Sequence, residues 1–547
     1  MSFNPGSPKS RRTSFLDIGG PNSLNNFANS YTRAQSYIGS TLLEQSPSLL
    51  VSDDVSPNTS PYLEGQDEGE ITIDYRLDDN QPIPQGYNHI RTFHFPEQEI
   101  PPSEVSPLIR RRSSLAISIK SGEATLISGN STVPQTVFNS VNTLMGIAML
   151  SLPYAFKVSG WILGSIIFLI SAIITNKTAK LLGKILAKHP ELNTYGDIAF
   201  IFGGKSVAVV VTIIFLIDMI GAMLSLILLF TDSFSILLPQ ISKSALKAIV
   251  VSVLFILSLF PLSILSMLSL LGITCTLTVI IIVIICGLSI TQSPGSLWDP
   301  VPTSLWPLRY DYLILSLGLF MAPWGGHPVF PELYRDMRHP IKYNKSTNIS
   351  FTTSFLLELG LSIIGLIMYG SQCQDSIIKN LMLNNQYPKW INPTLSFLMG
   401  FLSLSKLPLV AKPIITVYEN LLGINDDLLL IKQSDGELIT GIPSHVTRSN
   451  ASIIMFRRIS RIFSRIIFCI GLLVVSLAFS TFGKVVSFLG AAICFTICMT
   501  LPLMFYLKLF YYELTTLQRL LFMVGILIGI SSSIMGTYAA ITLDINI

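Results

Sequence analysis

Residues 320–332 read FMAPWGGHPVFPE. The flanking sequence is apolar enough to cross a membrane, yet this segment holds three prolines, two glycines and a histidine. Proline removes a backbone donor and clashes with the preceding turn, and glycine weakens a helix interior. In lipid, irregular backbone is tolerated only where it is buried in protein or lines a cavity. The segment therefore predicts a spanning helix that is interrupted because the interruption is used.

The rest of the chain supplies the membrane context. Mean hydropathy is +0.57, with 50% hydrophobic and 12% charged residues, where soluble domains carry about 25% charge. The apolar residues fall in runs of about 20, the length that crosses about 30 Å of hydrocarbon. From Val133 onward eleven such spans are predicted, at 134–158, 161–183, 206–230, 245–265, 267–290, 312–333, 349–370, 393–418, 460–481, 485–508 and 519–542. Residues 1–132, rich in Ser, Pro, Asn and Gln, lack the periodicity needed to bury a core and are expected to be a disordered tail. Residues 133–547 form the membrane domain, with a polar insertion at about 420–458. The net charge of +4 is dispersed, which gives no reason to expect nucleic acid.

Orientation follows from Lys and Arg. Arg110, Arg111, Arg112 and Lys120 precede span one, Lys177, Lys180, Lys184 and Lys188 end span two, and Arg335, Arg338, Lys342 and Lys345 follow span six. All fall on one side, so the tail is expected to be cytosolic and the C-terminus extracytosolic. The Asn-x-Ser/Thr triplets at Asn58, Asn130, Asn176, Asn344, Asn348 and Asn450 lie on that same side, so none is expected to be glycosylated. Of six cysteines only Cys373 lies outside the apolar runs. Cys494 and Cys498, four apart, have no histidine or carboxylate nearby in sequence to make a metal site. They are expected to pack as small hydrophobes.

Span one has its own interruption, with Asn139, Asn142, Thr143, Gly146, Ser151 and Pro153 in its middle. Spans one and six open two successive groups of five. That pattern predicts an inverted-repeat transporter whose discontinuous helices build a site near the bilayer midplane. The N–H end of one half-helix holds a carboxylate and the carbonyl end of another an ammonium, which suits a zwitterionic amino acid.

Four stretches, PQTVFNSVNTLMGIAMLSLPYAFKVSGW, LFMAPWGGHPVFPELYRDMRHP, KLPLVAKPI and VVSFLGAAICFTICMTLPLMFYLKL, together resemble the amino acid/auxin permease family. The resemblance covers about residues 133–542. It is strongest to the fungal vacuolar amino acid transporters, in the branch related to the vesicular inhibitory amino acid transporter. It implies an all-α, LeuT-like fold of eleven helices, a 5+5 inverted repeat plus one. It also implies uptake of neutral amino acids into the vacuole in exchange for luminal protons. Sister branches of the family run in the opposite direction. The proton gradient is the driving force, and no cofactor or metal is implied.

The expected substrate contacts are Asn142, Thr143, Gly146, Ile147, Ala148 and Met149 in span one, and Met321, Ala322, Trp324, Gly325 and Gly326 in span six. Trp324 either walls the side-chain pocket or packs as a bulky core residue. Proton coupling needs a titratable group near mid-membrane, and the candidates are Asp218, His327, Glu358 and Lys406. Asp218 matches a place where the family commonly has an acidic residue, though a helix–helix hydrogen bond would equally explain it. An unperturbed imidazole changes charge near neutrality, and His327 matches the family's GGH; its alternative is to cap the carbonyls of its own broken helix. Lys406, preceded by Ser403 and Ser405, either fills a cation site between spans one and eight or snorkels to an interface.

In the tail, Glu104, Leu108 and Ile109 fit the acidic dileucine pattern read by sorting adaptor complexes. Ser14, Ser113 and Ser114 follow arginines as basic-directed kinase sites do. Two function classes fit the broken helices: a secondary active transporter, or an amino acid sensor signalling through the tail. No Walker, HExxH or nucleophile-elbow motif points to an enzyme, and no catalytic residue is expected.

Overall fold

The computed structural model describes residues 129–543 except 191, 261, 308, 423, 425–445 and 480, together with Asn22, Asn26, Asn29, Ser30, Arg33 and three short strands. The sorting and phosphorylation candidates (Glu104, Leu108, Ile109, Ser14, Ser113, Ser114) lie outside the described residues. The chain divides into two compact units, Leu49–Gly129 and Met1–Ser48 with Asn130–Ile547. In the smaller unit β1 (Thr92–His94), β2 (Ser118–Lys120) and β3 (Glu123–Thr125) form an antiparallel sheet in the order β1-β3-β2, where no structure was expected.

The larger unit is helical. Span one is α1 (Val133–Leu144) and α2 (Leu152–Ser159), joined by a 3-10 turn over Ile147–Ser151 and bent by 47°. Pro134 at its start and Pro153 just inside α2 sit in first turns, where the missing N–H has no helical partner to lose. α3 (Trp161–Lys188) is span two and α4 (Tyr195–Leu237) span three. α4 kinks at Gly203–Gly204, where Gly204 takes φ +72°, so its first turns lie outside the apolar run that begins near residue 206. α5 (Lys243–Ser258) and α6 (Leu262–Ser289) are spans four and five.

Span six is α7 (Tyr310–Met321) and α8 (Phe330–Asp336), separated by two single 3-10 turns, Ala322–Trp324 and His327–Val329. α9 (Tyr343–Tyr369) is span seven, α10 (Ile377–Leu383) lies in the following loop, and α11 (Ile391–Leu421) is span eight. α12 (Val446–Ala478) begins fourteen residues before the expected limit of span nine, so the end of the insertion is helical. Span ten is α13 (Phe482–Phe488), a π-helix over Leu489–Thr500 and α14 (Leu501–Leu509); span eleven is α15 (Thr516–Thr542).

Among the described residues nine helices are long and apolar enough to cross a membrane, and ten when the bent pair of span one is counted. The expected count of eleven differs at span four. α5 has 16 residues, about 24 Å at 1.5 Å each, short of the hydrocarbon thickness. It ends because Leu259 and Phe260 turn ahead of Pro261, which cannot continue a helix. The architecture is otherwise the expected one: an all-α membrane protein with helices one and six discontinuous.

Asn22, Ser30 and Arg33, from the stretch expected to be a tail, make polar contacts with the bundle. Ser30 is fully buried; its hydroxyl hydrogen-bonds Ser131 Oγ (2.7 Å) and accepts from Asn139 Nδ2 (3.0 Å). Arg33 pairs with Asp336 at the end of α8 (3.2 Å) and donates to Ser131 Oγ (3.2 Å), and Thr132 Oγ1 donates to Asn22 Oδ1 (2.7 Å). Ser131 itself bridges to α8: its amide donates to Asp336 O (2.7 Å), its hydroxyl to the Asp336 carboxylate, and Arg338 N donates to Ser131 O (2.9 Å). The starting end of span one and the finishing end of span six are thus tied together on the tail side.

Candidate functional site

At the span-one break, Met145 has φ −71° and ψ 72°, the inverse γ-turn. The Gly146 amide accordingly donates to Leu144 O (2.7 Å), and the α-helical ladder stops. Gly146, Ile147 and Ala148 are half-buried, as are Val141 and Thr143 on the preceding turn. They face the break in span six: a Cβ on Gly326 would come 3.0 Å from Thr143 Cγ2 and 3.3 Å from Leu144 Cδ2. Gly325 meets Cys494 Sγ of span ten at 3.0 Å in the same sense. Glycine is needed at these two positions because the helices approach this closely. Ala322 and Gly325 are half-buried while Met321, Trp324 and Gly326 are buried. The two interruptions therefore form one locus, with span-one backbone and the Ala322–Gly325 edge on its accessible side.

Individual side chains differ from expectation. The Thr143 hydroxyl donates back to Asn139 O (2.9 Å), so it meets span six through its methyl. Met149 is buried. Trp324 is fully buried between Phe168 and Phe351, both at 5.6 Å between centroids, the latter stacked at 10°. This packing is common to both of its expected roles, pocket wall and core residue.

His327 is fully buried and turned towards span two, away from the carbonyls of its own helix. Its Nε2 lies 3.1 Å from Thr175 O and 2.8 Å from Thr178 Oγ1, and the Thr178 hydroxyl donates to Cys498 O (2.6 Å). A carbonyl only accepts, so Nε2 carries the hydrogen and Nδ1 is the basic nitrogen. Nδ1 has no partner among the described residues.

Asp218 on α4, half-buried, is within electrostatic reach of Cys494 and Cys498. The π-helix thus brings His327 and Asp218, 109 residues apart, to two faces of one segment. Its wider winding is visible where the Leu501 amide bonds Thr496 O, five residues back. Lys406 is half-buried with its Cε beside Gly272 of span five. Glu358 lies on span seven against span one. The six cysteines are buried and unpaired, and no cluster of three or more metal-ligating side chains occurs among the described residues.

The sequence reading missed three features. The tail contact and the Thr175–Thr178 seat of His327 join residues too distant in sequence to leave a local pattern. A charge cluster also sits at the end of the bundle away from the tail. Lys379 on α10 binds Asp232 (2.7 Å) and Asp375 (2.8 Å), Lys243 binds Asp232 (3.3 Å), and Asp375 accepts from Gly483 N (3.0 Å). Burial alone would lower the Lys379 pKa; Asp375 and Asp232 outweigh it and hold the ammonium above its ordinary value. The i,i+4 spacing of Asp375 and Lys379 was the available signal.

Two facing helix breaks inside a helical membrane bundle define a membrane carrier. The profile of the family described as "Transmembrane amino acid transporter protein" matches residues 129–542, and the chain belongs to that family. It is an amino acid transporter and a multi-pass membrane protein, not an enzyme. It is 27% identical over 441 residues to "Amino acid transporter AVT1B" of Arabidopsis thaliana, covering 78% of this chain and 73% of that protein. It is likewise 27% identical over 453 residues to "Amino acid transporter AVT1C" of the same plant, covering 80% and 75%. Among solved structures it is similar to a mutant of the Eremococcus coleocola manganese transporter, at 12% identity and a TM-score of 0.38, covering 76% of this chain and 87% of that one.

Proposed function

We propose that the protein moves neutral amino acids across the vacuolar membrane in exchange for protons, importing them from the cytosol, with its tail on the cytosolic side and its C-terminus in the lumen. The observation that carries this reading is the single locus formed by the two breaks. Half-helix ends there supply amide and carbonyl groups for a zwitterion, and the residues around them, from Asn142 to Ala148 and Met321 to Gly326, include no ionisable side chain. A neutral substrate side chain leaves no charge unpaired in such a site. His327 is the favoured proton carrier, because Nδ1 is a basic nitrogen enclosed beside the break. Lys406, beside span five, is assigned to packing.

The test is uptake of a labelled neutral amino acid into vacuolar membrane vesicles with and without ATP and a protonophore. ATP-dependent accumulation that the protonophore collapses is expected. Efflux on acidifying the lumen would reverse the direction, and uptake indifferent to both would remove proton coupling. The sensor reading has one favourable observation, the docking of Ser30 and Arg33 onto spans one and six; binding without flux in the same vesicles would select it.

A further inference from the structure

Span seven carries serines at 346, 350, 354 and 362 and a glutamate at 358. Spaced by fours, they form one stripe along α9. All five are buried, and Ser350, Ser354, Glu358 and Ser362 have 0% exposure. The stripe faces span one. Ser350 Oγ reaches Val137 O of α1 (3.5 Å), and a Cβ on Gly365 would meet Pro153 of α2 at 2.7 Å. Glu358 is two turns before Gly365 and so shares its face. It is eight residues past Ser350, and the residue eight past Val137 is Met145. The carboxyl therefore lies level with the γ-turn that breaks span one.

Neither Glu358 oxygen has a partner among the described residues, nor has Ser354 Oγ one turn nearer the tail side or Ser346 Oγ two turns beyond that. On the other side of Glu358 the same face closes on Pro153 and Ile377 at Gly365. On the tail side the hydroxyls leading to the carboxyl are without partners among the described residues at Ser354 and Ser346, whereas the Ser362 hydroxyl on the other side is tied to the Glu358 backbone oxygen (2.6 Å). The titratable groups on the elements packed against α9 are Tyr154 and Lys157 of α2, Lys177, Lys180, Lys184 and Lys188 of α3, Cys275 and Cys286 of α6, Glu332, Tyr334, Arg335 and Asp336 of α8, Lys379 of α10, and Lys342 in the turn before α9. Lys157 is engaged with Cys373 O (3.0 Å) and Asp336 with Arg33. α1 has none, and α8, which carries the carboxylates Glu332 and Asp336, meets α9 through Phe351 and Tyr343, seven or more residues before Glu358.

We propose that Glu358 is a second proton-binding site, distinct from His327, whose proton exchanges with the cytosol along the serine stripe between spans one and seven. This rests on the proton-coupled reading above. A neutral carboxyl is tolerated in the closed stripe, whereas a carboxylate without donors is not. Loss of the proton therefore favours separation of α1 from α9 and hydration of the stripe, which is opening on the tail side. Proton release and exposure of the span-one break become one event.

The experiment compares the full-length native protein with Glu358→Gln, Glu358→Asp and Ser354→Ala in sealed vesicles, reading accumulation driven by a pH gradient and the pH profile of uptake. Glu358→Gln is locked in the neutral form. Its gradient-driven accumulation should fall about tenfold, the scale of a coupling between sites, and its pH profile should flatten. Glu358→Asp should restore part of both, and Ser354→Ala should slow uptake and displace the profile. Native accumulation and pH response in Glu358→Gln overturn the proposal. If that variant does not fold, a native profile in Ser354→Ala overturns it instead. Absence of gradient-driven uptake in the native protein is a different result, which removes the transport reading itself.

Discussion

The two helix breaks use similar residues but are held in opposite ways. The break in span six is closely packed everywhere except along its half-buried Ala322–Gly325 edge. Span ten crosses span six so closely that a Cβ on Gly490 would lie 1.8 Å from Gly318 O, and one on Gly318 would lie 2.2 Å from Ser487 O. Trp324 is stacked and His327 seated on span two. The break in span one is bent by 47°, half-buried, and has room around Gly146, whose nearest neighbours to a Cβ are 3.9 Å away. Its start is held by the polar contacts of Asn22, Ser30 and Arg33. Close-packed backbone is rigid, whereas exchangeable hydrogen bonds open at low cost. Span six is therefore the fixed template of the site and span one the part that yields.

That contrast is open to test. The largest effect is expected for Gly490→Ala, which forces two backbones apart and should lower stability by about 3 kcal/mol or more, read as a lost or strongly lowered melting transition in detergent. Gly146→Ala should stay within about 0.5 kcal/mol; equal damage at both glycines would erase the distinction. Next, His327→Ala removes the ring's two buried hydrogen bonds, to Thr175 O and Thr178 Oγ1, and should cost about 1–3 kcal/mol. His327→Gln keeps a donor towards Thr175 O and should fold, yet uptake should no longer respond to the pH gradient.

Lys379→Met would leave Asp232 and Asp375 without their shared cation and should lower the melting temperature. Because the folded pKa of Lys379 is raised, its contribution is complete below the ordinary lysine value and is lost as pH climbs through the folded one. The native-to-variant difference should thus be constant through the neutral range and shrink only in strong alkali. Among the side-chain truncations the smallest effect is expected for Arg33→Ala, about 0.5–1 kcal/mol for a partly exposed ion pair. Its signature is faster proteolytic cleavage near residue 33, with the melting transition of the bundle little changed.

Much of this asymmetry was hidden from the sequence. The breaks were legible because Pro and Gly act locally, as at Pro153, Pro323 and Gly325–Gly326, and the spans because lipid demands long apolar runs. Span four misled because its hydropathy continues past Ser258 while Pro261 ends the helix. The π-helix gave no local signal, since LGAAICFTICMT reads as any apolar helix and its winding depends on what packs around it. The site was legible as two segments of backbone. It was not legible as a set of side-chain roles, because Trp324 and His327 pack on partners from other spans and the Thr143 hydroxyl turns back to its own helix.

One contact made by α8 has a mechanical meaning. The Arg335 guanidinium donates to Leu186 O (3.0 Å), His189 O (2.8 Å) and Leu192 O (2.8 Å), where span two ends. Three carbonyls on one rigid, planar fork leave little freedom between α8 and that chain end. The two form a single lever: a tilt of α8 has to carry the end of span two with it. Spin labels on these two segments should keep a fixed separation through the transport cycle, while the distance from either one to the start of span one changes.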